Sequence, residues 1–200
     1  MVIERAVGTA DAKSLLRAEA RERRRGLPEA EREAMSLAVA EGVAGLPEMA
    51  NACNVHLYLP IPGMDEVSTL PVIERLSEMG KKLSVPVIRQ GEIYSAAYAK
   101  GAPLLIGQFG VPEPEWSSPA EEMMPDIVVM PLLAFDCRGM RLGSGQGFYD
   151  RYLLRLLKSG VRPLRLGVAF SVQMQAELPV DSWDQPLDAV VHEHGIMRFN

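Results

Sequence analysis

A chain of 200 residues that is 48% hydrophobic and 24% charged has the composition of one globular unit, which excludes wholesale disorder and a collagen-like or disulfide-stapled chain. Its 21 Lys and Arg against 26 Asp and Glu give a net charge of −5, so a protein-wide basic field for nucleic acid is absent and any anionic ligand must be held locally. Cys53 and Cys137 are too few for a disulfide framework or a four-thiolate zinc site. The start of the chain carries Glu4, Arg5, Asp11 and Lys13 rather than an apolar leader, and no stretch approaches the ~20 apolar residues of a membrane span. A cytoplasmic protein, monomeric and without membrane or nucleic-acid partners, is expected.

Asp11 to Arg25 are good helix formers, with Leu15, Leu16 and Ala20 on one side and Lys13, Arg17, Arg21 and Arg24 forming a basic stripe on another. Gly26 stops this helix, Pro28 suits the first turn of the next, and Glu29 to Val43 continues an amphipathic pattern. Residues 1–47 therefore read as a helical pair in front of an α/β core at 53–200. Val55 to Leu59 is a short strand-forming run, Val67 to Met79 has helical spacing, and Leu83 to Val87 is a second strand, a unit that in one sheet makes a parallel crossover. Ile93 to Ala99 follows as a strand, and Gly101 to Ala120, rich in Gly, Pro and Ser, reads as a long loop. Asp126 to Pro131 is a buried parallel-type run, Phe148 to Leu157 a helix, and Leu164 to Phe170 and Asp188 to His192 two more strands. The alternation predicts a single three-layer α/β domain with a mixed, mostly parallel sheet.

The segment with most chemical content is Asp136 to Leu153, DCRGMRLGSGQGFYDRYL. Gly143, Gly145 and Gly147 alternate ahead of the predicted helix, where the backbone can reach positive φ and approach a ligand without a β-carbon. The helix start adds unpaired N–H groups and the positive end of its dipole, a natural phosphate site. The spacing is neither a Walker loop nor a dinucleotide fingerprint, and by itself it leaves a plain turn with a helix cap as an equal reading. Arg141 and Arg151 flank the glycines. Asp150, in the first helical turn, would repel a polyphosphate unless Mg2+ lay between them, so a metal-nucleotide is the coherent functional reading.

RLGSGQGFYDRYL at Arg141 to Leu153 resembles the signature of the 5-formyltetrahydrofolate cyclo-ligase family, also called methenyltetrahydrofolate synthetases. KSLLR at Lys13 to Arg17 resembles that family's nucleotide-contacting helix, and YLPIPGMDEVST at Tyr58 to Thr69 its first strand and substrate loop. VPEPEW, DIVVMPLLAFD and LPVDSWDQPLDAVVHE follow in family order, so the likeness spans nearly the whole chain. The resemblance implies a ribose-phosphate-isomerase-like topology and ATP- and Mg2+-dependent cyclisation of 5-formyltetrahydrofolate, with or without a polyglutamate tail, to 5,10-methenyltetrahydrofolate.

Carried over residue by residue, the resemblance implies that Lys13 and Arg17 contact ATP phosphates and that Gly143, Ser144, Gly145, Gln146, Gly147, Phe148 and Tyr149 wrap the triphosphate. It further implies Arg141 and Tyr149 as catalytic groups, Asp150 and Asp184 as holders of Mg2+, and Glu66 with Leu59, Ile61 and Tyr149 as the folate-binding set. Ser144, Gln146 and Phe148 depart from the family's usual Tyr or Arg, Gly or Lys, and Tyr, which keeps open a folate-inactive relative, either a nucleotide- or folate-binding regulator or a protein of thiamine metabolism. A sugar-phosphate isomerase could use a similar anion loop, but the matched first helix argues against it.

Beside these stand plainer expectations. Arg21 to Arg25 read as a solvated face that at most attracts a glutamate tail, and His56 as a satisfied core residue. Asp126 and Asp136 read as strand-end hydrogen-bonding groups. Trp116 and Trp183 could line a ligand cleft but read by default as core or loop packing, and His192 and His194 as a pair lacking a third metal ligand.

Overall fold

The computed structural model describes residues 9–116, 118–119 and 122–199; the charges at Glu4 and Arg5 and the end of the expected loop at Ala120 lie outside them. Chain alternation produces a seven-stranded sheet built from β1 (Asn54–Leu57), β2 (Lys82–Arg89), β3 (Glu92–Tyr98), β6 (Ile127–Met130), β9 (Leu164–Val168), β10 (Ala189–His192) and β11 (Gly195–Arg198). The order is β11-β10-β9-β6-β1-β2-β3. The five strands from β10 to β2 pair in parallel, and β11 and β3 close the two edges antiparallel. Two small hairpins, β4 (Leu104–Ile106) with β5 (Pro112–Pro114) and β7 (Ala134–Phe135) with β8 (Arg141–Leu142), stand outside the sheet.

Period-two alternation sends successive side chains to opposite faces of the central strands. Ile127 and Val129 of β6, with Val55 and Leu57 of β1, pack against Val39, Ala40 and Val43 of α2 (Glu29–Ala44) and Val72, Ile73 and Leu76 of α4 (Leu70–Glu78). Val128 and Met130 point the other way, onto Tyr152, Leu153 and Leu156 of α5 (Phe148–Lys158). The result is helix, sheet, helix, with the sheet buried on both faces, and this is why β6 reads as an unbroken apolar run.

Two terms of the sequence reading shift. The helix expected from Val67 starts at Leu70, because Val67 to Thr69 instead tether the preceding loop: Tyr58 donates its hydroxyl to the Val67 carbonyl at 2.6 Å and Thr69 donates to the Tyr58 carbonyl at 2.5 Å. The expected long loop from Gly101 contains the β4–β5 hairpin, whose Leu105 and Ile106 side chains are exposed and so gave no alternation to read. A short helix, α3 (Pro47–Asn51), and the edge strand β11 were also not anticipated.

α1 (Thr9–Arg25) lays Leu16 and Ala20 on Leu133, Ala134, Leu142 and Leu178, so the first helix covers the β7–β8 hairpin. The hairpin turn is organised by Asp136, fully buried, which accepts the backbone N–H groups of Arg138, Met140 and Leu178 and the Arg138 guanidinium. Burial alone would raise its pKa, but these donors bring it below the ordinary carboxylate value. Asp126 in the same way accepts the N–H groups of Cys53 and Asn54 at 2.8 Å, tying β6 to β1. Both aspartates thus serve backbone hydrogen bonding, as their positions at strand ends suggested.

Candidate active site

Where β6 ends, the β7–β8 excursion delivers the chain to the glycine segment at the mouth of α5. Gly145 takes φ 106°, and a β-carbon there would stand 3.2 Å from Cζ of Arg17, so glycine leaves space for the guanidinium. Gly147 caps α5 in the left-handed region at φ 65°. The N–H groups of the first turn of α5 have no partner inside the helix, as at any helix start, and open with the loop into a cleft of about 470 Å3.

The residues to which the family resemblance gave a role line this one cleft: Lys13 and Arg17 from α1, Leu59, Ile61 and Glu66 from the loop after β1, Arg141 from β8, Gly143 to Asp150, and Asp184; Arg151 does not, being bonded to Glu92 and the Gln146 carbonyl. A wider groove of about 750 Å3 runs beside β2 and β3. It is more open, and two of its lysines are engaged: Lys81 with the carbonyls of Ala50 and Ala52, and Lys100 with Glu74. The glycine cleft is the one that gathers unsatisfied polar groups on an apolar wall.

At the polar end, Arg17 donates to the Gly143 carbonyl at 3.0 Å. Lys13, only 7% exposed, places its ammonium between Asp181 and Asp184, at 2.7 and 2.5 Å. Burial works against its charge, but the two carboxylates win and hold its pKa above the usual lysine value. Arg141 bonds Oδ1 of Asp150 through both terminal nitrogens, at 3.1 and 3.0 Å, while the Gln185 N–H donates to the same oxygen at 3.0 Å. Burial lowers the Arg141 pKa, and Asp150 opposes that shift. Nε of Arg141 and the hydroxyl of Tyr149 are buried without partners. Burial pushes the Tyr149 phenol well above its ordinary pKa, so it remains a protonated donor.

At the other end, Glu66 accepts the Ile61 N–H at 2.8 Å. Burial raises its pKa, while that bond and the Arg24 guanidinium oppose the rise. Arg24 corrects the solvated-face reading of the basic stripe: it is 4% exposed and donates to the Met64 carbonyl, pinning the loop that carries Glu66. Leu59, Ile61, Val111 and Phe109 supply apolar wall, with the Phe109 ring tilted against that of Phe148 at 5.5 Å between centroids.

Sequence reasoning missed Asp181, Tyr58 and Phe109, and Trp183 lines the cleft mouth while 60% exposed rather than packing in a core. The pair of acids three residues apart in VDSWD was the available signal for Asp181. His56 is only half satisfied: Nδ1 lies 2.9 Å from Ser95 Oγ, and Nε2 is buried without a partner. Trp116 packs on Tyr94 at 5.1 Å, and His192 receives the His194 N–H at 3.2 Å.

Among the described residues no group of three or more His, Cys, Asp or Glu could hold a metal ion. Asp150 and Asp184 are two carboxylates, each already facing a cation. That set suits Mg2+, which keeps several waters and is commonly held by one or two carboxylates together with substrate phosphates.

The sequence profile of the 5-formyltetrahydrofolate cyclo-ligase family matches residues 9–193. The chain belongs to this family. Among its cyclo-ligase relatives, the 5-formyltetrahydrofolate cyclo-ligase of Escherichia coli K12 is 33% identical over 178 residues, covering 86% of this chain and 94% of the relative. The mouse protein of that name is 30% identical over 198 residues, covering 94% and 97%. The solved structure of Aquifex aeolicus 5,10-methenyltetrahydrofolate synthetase superposes with a TM-score of 0.80 at 36% identity, over 94% of this chain and 93% of that one. A synthetase of the same name from Mycoplasma pneumoniae, at 24% identity, shares the fold with a TM-score of 0.68 over 90% and 98%.

Proposed function

We propose that this cyclo-ligase closes 5-formyltetrahydrofolate to 5,10-methenyltetrahydrofolate in the cytoplasm with ATP and Mg2+, through phosphorylation of the formyl oxygen. The observation that carries the reading is the convergence of the glycine loop, three cations and a partnerless tyrosine hydroxyl at one end of a cleft whose other end is apolar and carries one buried acid. An N-formyl group is a resonance-stabilised amide, so its oxygen must become a leaving group before N10 can attack. In the proposed sequence the formyl oxygen takes the γ-phosphoryl group and ADP departs. N10 then bonds to the formyl carbon and gives up its proton, and the former formyl oxygen leaves with inorganic phosphate, which takes up that proton.

In this scheme Lys13, Arg17 and the amides from Gly143 to Tyr149 hold the triphosphate, and α5 turns its positive end toward it. Arg141 and Tyr149 donate toward the oxygen that gains charge, in a site shielded from water, where fixed donors count most. Asp150 and Asp184 would hold Mg2+, which when bound neutralises charge on the phosphates. Glu66 fixes the pterin by hydrogen bonding, and Leu59, Ile61 and Phe109 flank its flat rings. The held geometry turns a weak amide nucleophile into a positioned one. The test is formation of the methenyl chromophore from 5-formyltetrahydrofolate, with ATP and Mg2+ each omitted in turn. Absence of product in the complete mixture, or product without ATP, refutes the proposal.

A further inference from the structure

The charges in the cleft do not sum as a phosphate site should. At the polar end Lys13, Arg17 and Arg141 stand with three carboxylates, Asp150, Asp181 and Asp184, while Glu66 lies at the other end near Arg24. Two of the three cations are already neutralised, Arg141 by Asp150 at 3.0 Å and Lys13 by Asp181 and Asp184 together. A bare triphosphate would therefore meet no net positive charge. We propose that Asp181 is a selectivity residue, which makes the cleft refuse a metal-free triphosphate and accept one that arrives with a divalent cation. The inference rests on the nucleotide reading above and adds a residue and a discrimination to it.

Asp181 and Asp184 are not equivalent. Asp184 is the deeper, its side chain 14% exposed against 29%, and its Oδ2 takes both the Lys13 ammonium and the Asp181 N–H at 2.8 Å. When Asp184 turns to a cation, Asp181 alone keeps Lys13 in place, and the ammonium is free to address phosphate. Without a cation, Lys13 stays shared between both acids and the Asp181 charge stands against the incoming phosphates. The bond that shapes the turn comes from the Asp181 backbone, so a neutral side chain at this position retains the turn and loses the charge together with its ion pair to Lys13.

The experiment is calorimetric titration of ATP, without folate so that nothing turns over, in excess EDTA and in excess Mg2+ at matched ionic strength. Asp181→Asn and Asp181→Ser should each cut the preference for the metal-bound form about tenfold, chiefly by tightening metal-free binding, since like-charge repulsion is what they remove. Asp181→Glu keeps the charge and should keep the wild-type preference. Neutral variants that shift both affinities equally, or a glutamate variant that behaves like them, overturn the assignment, because a merely structural residue would do either. Wild-type protein that binds MgATP but shows no such response in the variants defeats this inference alone. Wild-type protein that binds neither form defeats the nucleotide reading and this inference with it.

Discussion

Replacing Asp150 by Asn should destabilise the protein even with no nucleotide or metal present. The Arg141 side chain is 5% exposed and, among the described residues, its ion-pair partner is Asp150, itself 14% exposed. Removing one member of a buried pair leaves an uncompensated charge, at a cost of about 3–5 kcal/mol. Asparagine keeps one oxygen for the Gln185 N–H and the two arginine contacts and loses the charge, which places the expected loss near ~2–3 kcal/mol. In a chain of this size that corresponds to a fall in Tm of roughly 4–12 °C.

The assay is equilibrium urea unfolding of wild type, Asp150→Asn, Arg141→Met and the double variant, all in EDTA. Arg141→Met should cost less than Asp150→Asn, because the carboxylate it strands is nearer solvent than the guanidinium. The double variant should fall short of the summed costs by at least ~1.5 kcal/mol, the signature of a direct pair. An Asp150→Asn protein within about 0.5 kcal/mol of wild type, or additive single costs, would refute the view that Arg141 depends on Asp150 for its charge. MgATP at a hundredfold excess over its Kd should stabilise the wild type by about 2.7 kcal/mol and the Asp150→Asn variant by less.

Gly145→Ala should weaken ATP binding at least tenfold with little change in folate affinity, since it adds a β-carbon at φ 106° against Arg17; nucleotide titration measures it. Glu66→Gln should raise KM for the folate about tenfold or more while leaving KM for ATP near wild type, the scale of a hydrogen bond to a charged group. His56 is held neutral by burial, its pKa lowered to about 3, so the unfolded chain takes up a proton that the folded one does not. The stability this residue confers is full above its ordinary pKa near 6.5 and is lost as the pH falls from there toward 3. Between about pH 7.5 and 4.5 the wild type should lose roughly 2–3 kcal/mol more than His56→Leu in urea unfolding, and equal losses would show that His56 is charged in the fold.

The sheet was legible because its central strands are buried on both faces. Val128, Val129 and Met130 leave no polar residue to interrupt the run, and Gly80 and Gly147 mark the end of one helix and the start of another. The β4–β5 hairpin was not legible, since the exposed Leu104, Leu105 and Ile106 carry no alternation and two of its partners are prolines. In the cleft, the glycine loop and Asp150 are local in sequence and could be read from their spacing. Lys13, Asp184 and Glu66 were reached through family likeness, because their meeting depends on long-range topology. Arg24 shows the limit of helical periodicity, which places a residue on a face but cannot say that a distant loop will cover it.

Lys13 and the acids that hold it are 168 and 171 positions apart in the chain. Closing so long a loop costs roughly 4–5 kcal/mol in chain entropy, yet doubling it would add only about 0.6, so the separation burdens timing more than stability. At ordinary synthesis rates of about 5–20 residues per second, a nascent chain waits ~8–34 s between the emergence of the ammonium and that of its partners. Throughout that interval Lys13 stands without either of its acids, so this end of the cleft is completed late in synthesis.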